Sequence, residues 1–226
     1  SSETTSESSA SSTSSTNEPS STSEETPKTE ASSSEARATT SEFTEVANIG
    51  QIQGEAHESP YNGKKVRVSS VVVTKTDRYG FYAQDIKADG NTKTSDAIYV
   101  VSKEKVAVGD RLTIEGEVKE GYMDSLSVRP GQQFKKPADS LTVTQLFASK
   151  VTKNGTAALP EPVNISDRMP KDIVDNTPTT YDPEHDALDY WESLEGMLTT
   201  VKKPRVLGPQ YRGDIYLLPA GYQELP

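Results

Sequence analysis

The strongest pattern in the chain lies in its middle, where apolar and polar positions alternate in short runs. Lys65 to Lys75 is rich in β-branched residues and begins with strict alternation, the pattern of a half-buried strand. Asp77-Arg78-Tyr79-Gly80 has turn composition, and Phe81-Tyr82-Ala83-Gln84 opens a second strand. Ala97 to Val101 reads as a third, after the loop residues Asp89-Gly90-Asn91. Val108-Gly109-Asp110 is a tight turn leading into a fourth strand, Arg111 to Lys119. There Leu112, Ile114 and Val118 share one face, while Arg111, Thr113, Glu115, Glu117 and Lys119 share the other. Leu141 to Val151 gives a fifth. The fold class expected is mainly β: five short strands in a small closed or partly open barrel.

Two segments depart from this pattern. Gly121 to Ser140, between the fourth and fifth strands, is long for a hairpin connection, which usually takes 2–5 residues. It carries Tyr122, Arg129, Gln132, Gln133, Phe134, Lys135 and Lys136 against two acids, Asp124 and Asp139. After Leu159-Pro160-Glu161-Pro162 the chain turns extended and polar. Asp182-Pro183 then offers a helix cap followed by a first-turn proline, Leu188, Trp191 and Leu194 follow helical spacing, and Gly196 can end the helix. Met197 to Val201 and Ile215 to Leu218 are strand-like. The expected organisation is a tail over 1–42, a barrel over 43–165, a linker and helix start over 166–189, and from 190 to 226 either the start of a second, truncated β domain or strands returning to the barrel.

Composition sharpens the boundary of the tail. Of 226 residues 32% are hydrophobic, low for a globular chain, and the deficit is local. Residues 1–42 hold 25 Ser or Thr, four Ala as their whole hydrophobic content, and eight Glu against Lys28 and Arg37. Such a segment buries too little apolar area to offset its ordering entropy, so a disordered Ser/Thr/Glu-rich stalk is expected. The chain carries a formal net charge of −10 and no cysteine, which excludes disulfides, thiolate metal sites and a Cys nucleophile. No apolar run is long enough to span a membrane, and the start without Met or an apolar signal core reads as a processed or excised piece.

Five short motifs, in order, resemble one family. Ile49-Gly50-Gln51-Ile52-Gln53-Gly54-Glu55-Ala56-His57-Glu58-Ser59-Pro60 is similar to the "IQG-x-x-H-x-SP" opening of bacterial extracellular DNA nucleases. Gly80-Phe81-Tyr82-Ala83-Gln84-Asp85 resembles their "GFYLQD", and Val106-Ala107-Val108-Gly109-Asp110 their "VAVGD" turn. Leu159-Pro160 with Pro162-Val163 resembles "LP-x-PV", and Tyr190-Trp191-Glu192-Ser193-Leu194-Glu195-Gly196-Met197 resembles "ERYEGM". With the Ser/Thr-rich tail, the resemblance points to streptococcal nucleases anchored in the cell wall. It implies an oligonucleotide/oligosaccharide-binding (OB) barrel ahead of a catalytic domain of the endonuclease/exonuclease/phosphatase type, and an extracellular location, wall-anchored or secreted. Residues 121–139 look like an insertion relative to that pattern.

The catalytic chemistry of that family needs a carboxylate-held divalent metal, a base and a His in a Ser-Asp-His motif. Here Ser166-Asp167 is followed by Arg168, and the only histidines are His57 and His185. The expectation is that these residues form no enzyme and hold no cofactor, and that a divalent metal, Mg or Ca, serves a catalytic domain outside them. Asp182, Glu184, His185, Asp186 and Asp189 can be drawn as a metal site, but a solvated acidic helix start is preferred. His57 has no nucleophile or base beside it in sequence, so a structural hydrogen-bonding role is expected.

The functional expectation is a monomeric module that binds single- or double-stranded DNA and presents it to the absent domain. OB barrels bind through the face of strands two and three and the flanking loops, with aromatics stacking on bases. That selects Tyr79, Tyr82 and Tyr99 for stacking and Lys75 and Arg78 for phosphates. The long loop adds Tyr122, Arg129, Lys135 and Lys136. Of the neighbours Phe81 and Tyr82 only one can face outward, and Tyr82 is selected because Phe prefers burial. Residues 43–226 still carry a net charge of −4, against the basic footprint usual for nucleic-acid domains. The alternatives are a structural spacer and an adhesin-type protein- or glycan-binding module.

Overall fold

The computed structural model describes residues 42–138, 140–166, 169–170, 180–211 and 213–219. The stalk expected over 1–42 therefore lies outside the described residues except at Glu42, whose carboxylate pairs with Lys65.

The fold is mainly β. Six strands form one sheet: β1 (Thr44–Val46), β2 (Lys65–Thr76), β3 (Gly80–Asp85), β4 (Ala97–Val101), β5 (Asp110–Gly121) and β6 (Val143–Thr156). The order is β1-β2-β3-β4-β6-β5, and β2 also pairs with β5. The pairings of β2 to β6 thus close into a circuit. All are antiparallel except β4 with β6. These five strands are the five that the alternation predicts, with β6 running farther, to Thr156.

β2 pairs along both of its edges and changes partner along its length. Its first half runs against β5 and its second half against β3, with both partners along Val71 and Val72. At the changeover Ser70 is an extra residue between Ser69 and Val71 in the β5 register and takes a left-handed φ of 61°. Such a bulge turns a strand without breaking its ladder.

The alternating residues form the core. Val66, Val68, Val71, Val73, Phe81, Ala83, Ile98, Val100, Leu112, Ile114, Val118 and Leu146 pack inside the circuit. Ile49 and Ile52 join them from α1 (Ile49–Gln53). The sequence pattern missed this helix, since five residues are too few to display a helical period. Its cap is ordinary: the Asn48 side chain accepts from the Gln51 N–H at 2.7 Å.

The C-terminal part differs more from expectation. The helix α2 spans Ala187–Glu192, and its cap is Asp186, which accepts from the Leu188 and Asp189 N–H groups. Asp182-Pro183 opens a preceding turn, where the Asp182 carbonyl accepts from the His185 and Asp186 N–H groups. A second small core joins Ile165, Tyr190 and Leu194. Strand β7 (Val163–Asn164) pairs with β8 (Thr199–Thr200), and β9 (Arg205–Val206) with β10 (Leu217–Leu218), so the late strands form two-stranded sheets of their own. Among the described residues no helix is long and apolar enough to cross a membrane.

Candidate nucleic-acid interface

The register of β3, β4 and β6 fixes which side chains share their outer face. Gln84 lies opposite Ala97, Tyr82 opposite Tyr99, and Tyr99 opposite Gln145. Gly80 lies opposite Val101 and Val101 opposite Phe147. Cross-strand partners project to the same side, so these residues form one continuous strip. The strip divides into a covered half and an open half.

The covered half lies under residues 193–198. The Leu198 N–H donates to the Gln84 side-chain oxygen at 2.9 Å, and the Ser95 hydroxyl donates to the Glu195 carbonyl at 2.6 Å. Gly196, at φ 69°, sits so close to Tyr82 that a Cβ there would lie 3.1 Å from the ring. Tyr82 is half-buried, and Phe81 points into the core. Tyr99 corrects a sequence expectation. It is 1% exposed, its hydroxyl donates to Asp77 at 2.7 Å, and its ring meets Tyr82 edge-on at 5.0 Å. A ring so enclosed offers no face to a base. Burial and the Asp77 hydrogen bond hold its hydroxyl above the ordinary tyrosine range. Burial pulls Asp77 the other way from its partners, but hydrogen bonds from Tyr99 and from the Tyr79 and Gly80 N–H groups win and hold it low.

The open half is a cleft of about 520 Å³. Its walls are the turn at Arg78 and Tyr79, the end of β4 with Ser102, Lys103 and Glu104, and β6 from Phe147 to Val151. Leu126 closes one side from the 3-10 turn Met123–Ser127 in the long loop. The Arg78 guanidinium lies 4.5 Å from the Tyr79 ring centroid and hydrogen-bonds its hydroxyl. Lys119 sits 5.0 Å from the Phe147 ring centroid. Arg78, Lys103 and Lys150 make no ion pair among the described residues, whereas Lys65, Arg67, Lys119 and Lys153 all do. The cleft therefore combines two aromatic rings with three uncompensated cations and one acid, Glu104.

Of the residues selected from sequence, Arg78 and Tyr79 line this cleft. Tyr122, on the long loop, meets Phe134 at 5.6 Å and Lys136 at 5.8 Å between ring centroid and Nζ. This makes a second aromatic–basic group outside the cleft. Arg129, Lys135 and Lys75 are exposed and line no part of it. The sequence reading missed Lys103, Phe147 and Lys150. They come together only because β4 runs parallel to β6, a pairing between strands more than 40 residues apart that no local pattern announces.

A second polar group lies behind the covered half. His57 Nε2 meets Asp189 Oδ1 at 2.7 Å and Nδ1 meets Glu192 Oε2 at 3.1 Å. Burial pulls the imidazolium down, but hydrogen bonds and charge from Glu192 and Asp189 outweigh it and raise its pKa. Each ring nitrogen thus faces a carboxylate oxygen, and in the imidazolium form both nitrogens donate. Among the described residues no group of three or more His, Asp or Glu is arranged to hold a metal ion. Asp182 and His185 form a local pair at 2.8 Å, with His185 largely exposed.

Residues 152–224 match a family model described as "Domain of unknown function (DUF8508)", well under half of the chain. No curated protein matches it.

Proposed function

We propose that this chain is a non-catalytic nucleic-acid-binding module that takes single-stranded DNA in the cleft between Arg78, Lys103 and Lys150. The observation that carries the reading is the cleft itself: three unpaired cations around Tyr79 and Phe147 in a chain of net charge −10. Base stacking on an exposed ring is sequence-tolerant and contributes ~1–3 kcal/mol per base, while cations beside it follow the phosphates. The circuit of five strands, closed between the first and fourth with the third and fifth parallel, supports an OB-like barrel. In OB barrels the second and third strands and the loops beside them bind oligonucleotides. The cleft lies at that place: Arg78 and Tyr79 belong to the turn between the first two barrel strands, and Leu126 to the long loop between the last two. The motif resemblance extends the proposal to the parent protein, a secreted, wall-attached DNA nuclease whose divalent-metal chemistry belongs to a further domain. The spacer reading keeps one specific observation in its favour, that half of the strip is covered by the chain's own residues 193–198.

Photocrosslinking tests the placement. An oligothymidylate carrying a photoreactive thymine is irradiated with the protein, and the modified peptides are mapped. Crosslinks within 78–79, 101–104 or 147–151 are expected. Crosslinks confined to other peptides, or none at low salt, overturn the proposal.

A further inference from the structure

We infer that residues 187–200 form a displaceable strap over one half of the β3–β4–β6 strip, and that His57 and Glu195 make its closure depend on pH. As regulation of the site proposed above, the inference rests on that reading. When the strap lifts, the strip runs uninterrupted from the cleft past Tyr82 to Gln84, a longer track for an extended strand.

The packing separates strap from barrel. The buried apolar residues of the strap, Tyr190 and Leu194, pack with Ile165, and Met197 packs against them, in a cluster distinct from the barrel core. What ties the strap down is mostly polar. Asp189 and Glu192 hold His57; Leu198 holds Gln84; Ser95 holds the Glu195 carbonyl. The Glu195 carboxylate accepts from Gln53 Nε2 and from the Thr144 N–H, both at 3.2 Å. The neutral bonds contribute ~0.5–1.5 kcal/mol net and those to charged groups ~1.5–3 kcal/mol. An element tied this way opens at lower cost than the barrel beneath it.

The charges around the contact are one-sided. Facing His57 and Glu195 are Asp189, Glu192 and Tyr181 from the strap and its approach, and Glu55, Tyr82 and Glu120 from the barrel. Glu120 accepts from the Ser59 N–H and the Thr144 hydroxyl, and its other oxygen is buried without a hydrogen-bond partner. His57 is the single cation in this group, so closure needs protons. Burial, then the charge of Glu192, pushes Glu195 up to about 8. His57 is also raised, by the carboxylates of Glu192 and Asp189 against the effect of burial. Both groups bind protons more tightly in the closed state than free in water. Closure is therefore favoured at low pH and lost as pH rises toward the closed-state values.

The test is amide hydrogen exchange on the full chain at pH 6 and pH 8.5, corrected for intrinsic rates. The strap peptides should lose at least about tenfold in protection at the higher pH, the equivalent of one pKa unit, and should exchange faster than β2 to β6 at both values. Glu195→Gln replaces the carboxylate with a neutral acceptor of the same shape and should abolish most of that loss. His57→Gln should lower strap protection at both values. Equal protection at both pH values, strap peptides as well protected as β2 to β6, or a Glu195→Gln variant as pH-sensitive as wild type overturns the strap. Oligothymidylate binding is measured in parallel. Unchanged exchange with intact binding overturns the strap alone. A pH-dependent strap with no binding at either pH supports the strap and overturns the nucleic-acid reading.

Discussion

Single residues decide whether the cleft can do what is proposed for it. Lys103 and Lys150 have no acid partner among the described residues, so their charge is available to phosphate. Changing both to Ala should weaken single-stranded DNA binding and flatten the log–log salt slope by about 1.4, at about 0.7 per phosphate contact. Tyr79→Ala should instead cost ~1–3 kcal/mol of affinity with little change in slope, because stacking releases few ions. Fluorescence anisotropy across a salt series separates the two. Gly80 matters in another way. A Cβ there would lie 1.9 Å from the Val100 carbonyl oxygen, inside a backbone that cannot yield. Gly80→Ala should destabilise the fold by ~1–3 kcal/mol, as overpacking does, read as a lower urea midpoint. The motif Gly80-Phe81-Tyr82 thus has a packing reason of its own.

At the scale of elements, strands were legible and their neighbours were not. Alternation located β2 and β5, where Leu112, Ile114 and Val118 of β5 all lie in the core, while β3 and β4, buried on both faces, were marked by short apolar runs between turns. It could not foresee the parallel pairing of β4 with β6, which builds the cleft, since parallel partners share no turn. Tyr99 was misjudged for a related reason. Its side of the strand does face away from the main core, but the Tyr82 ring packs edge-on against it and Asp77 holds its hydroxyl. Asp186 rather than Asp182 caps α2 because its carboxylate reaches the first two helical N–H groups that need an acceptor. The elements also predict how stability varies with pH. Burial, opposed by the Ile49 and Gly50 N–H groups and aided by Asp96 and Asp89, pushes Asp85 up to about 7, and Glu195 stands at about 8. Both are raised carboxyls, so their protonation favours the fold most below the unfolded values of 3.8 and 4.5. That contribution is lost as pH rises toward 7 and 8. The raised His57 acts the same way, fully below 6.5 and lost above its folded value. The lowered carboxyls Asp77, Asp110 and Asp182 act oppositely, but only at acid pH, as it falls below their unfolded value of 3.8. Urea unfolding should therefore give a stability about 1–3 kcal/mol higher at pH 6 than at pH 8.5, at about 1.4 kcal/mol per pKa unit.

For the whole molecule the governing fact is a net charge of −10, against which any attraction for DNA must be local. The non-catalytic role proposed above predicts that the chain alone leaves plasmid DNA intact with Mg or Ca present. Chelator-sensitive nicking that disappears in a His57→Gln variant would count against a non-catalytic role. The exposed apolar residues Val206, Leu207, Ile215 and Tyr216 of the β9–β10 region lie outside the cleft and play no part in this account. In the reading proposed above, three cations with no ion pair among the described residues hold a DNA backbone on an acidic protein. The measurement that tests it most directly is the salt dependence of oligothymidylate affinity for the wild-type chain. Three phosphate contacts predict a log–log slope of about −2, from about −0.7 for each contact on a single strand. A slope near zero, or no binding even at ~50 mM salt where phosphate contacts are strongest, would contradict it.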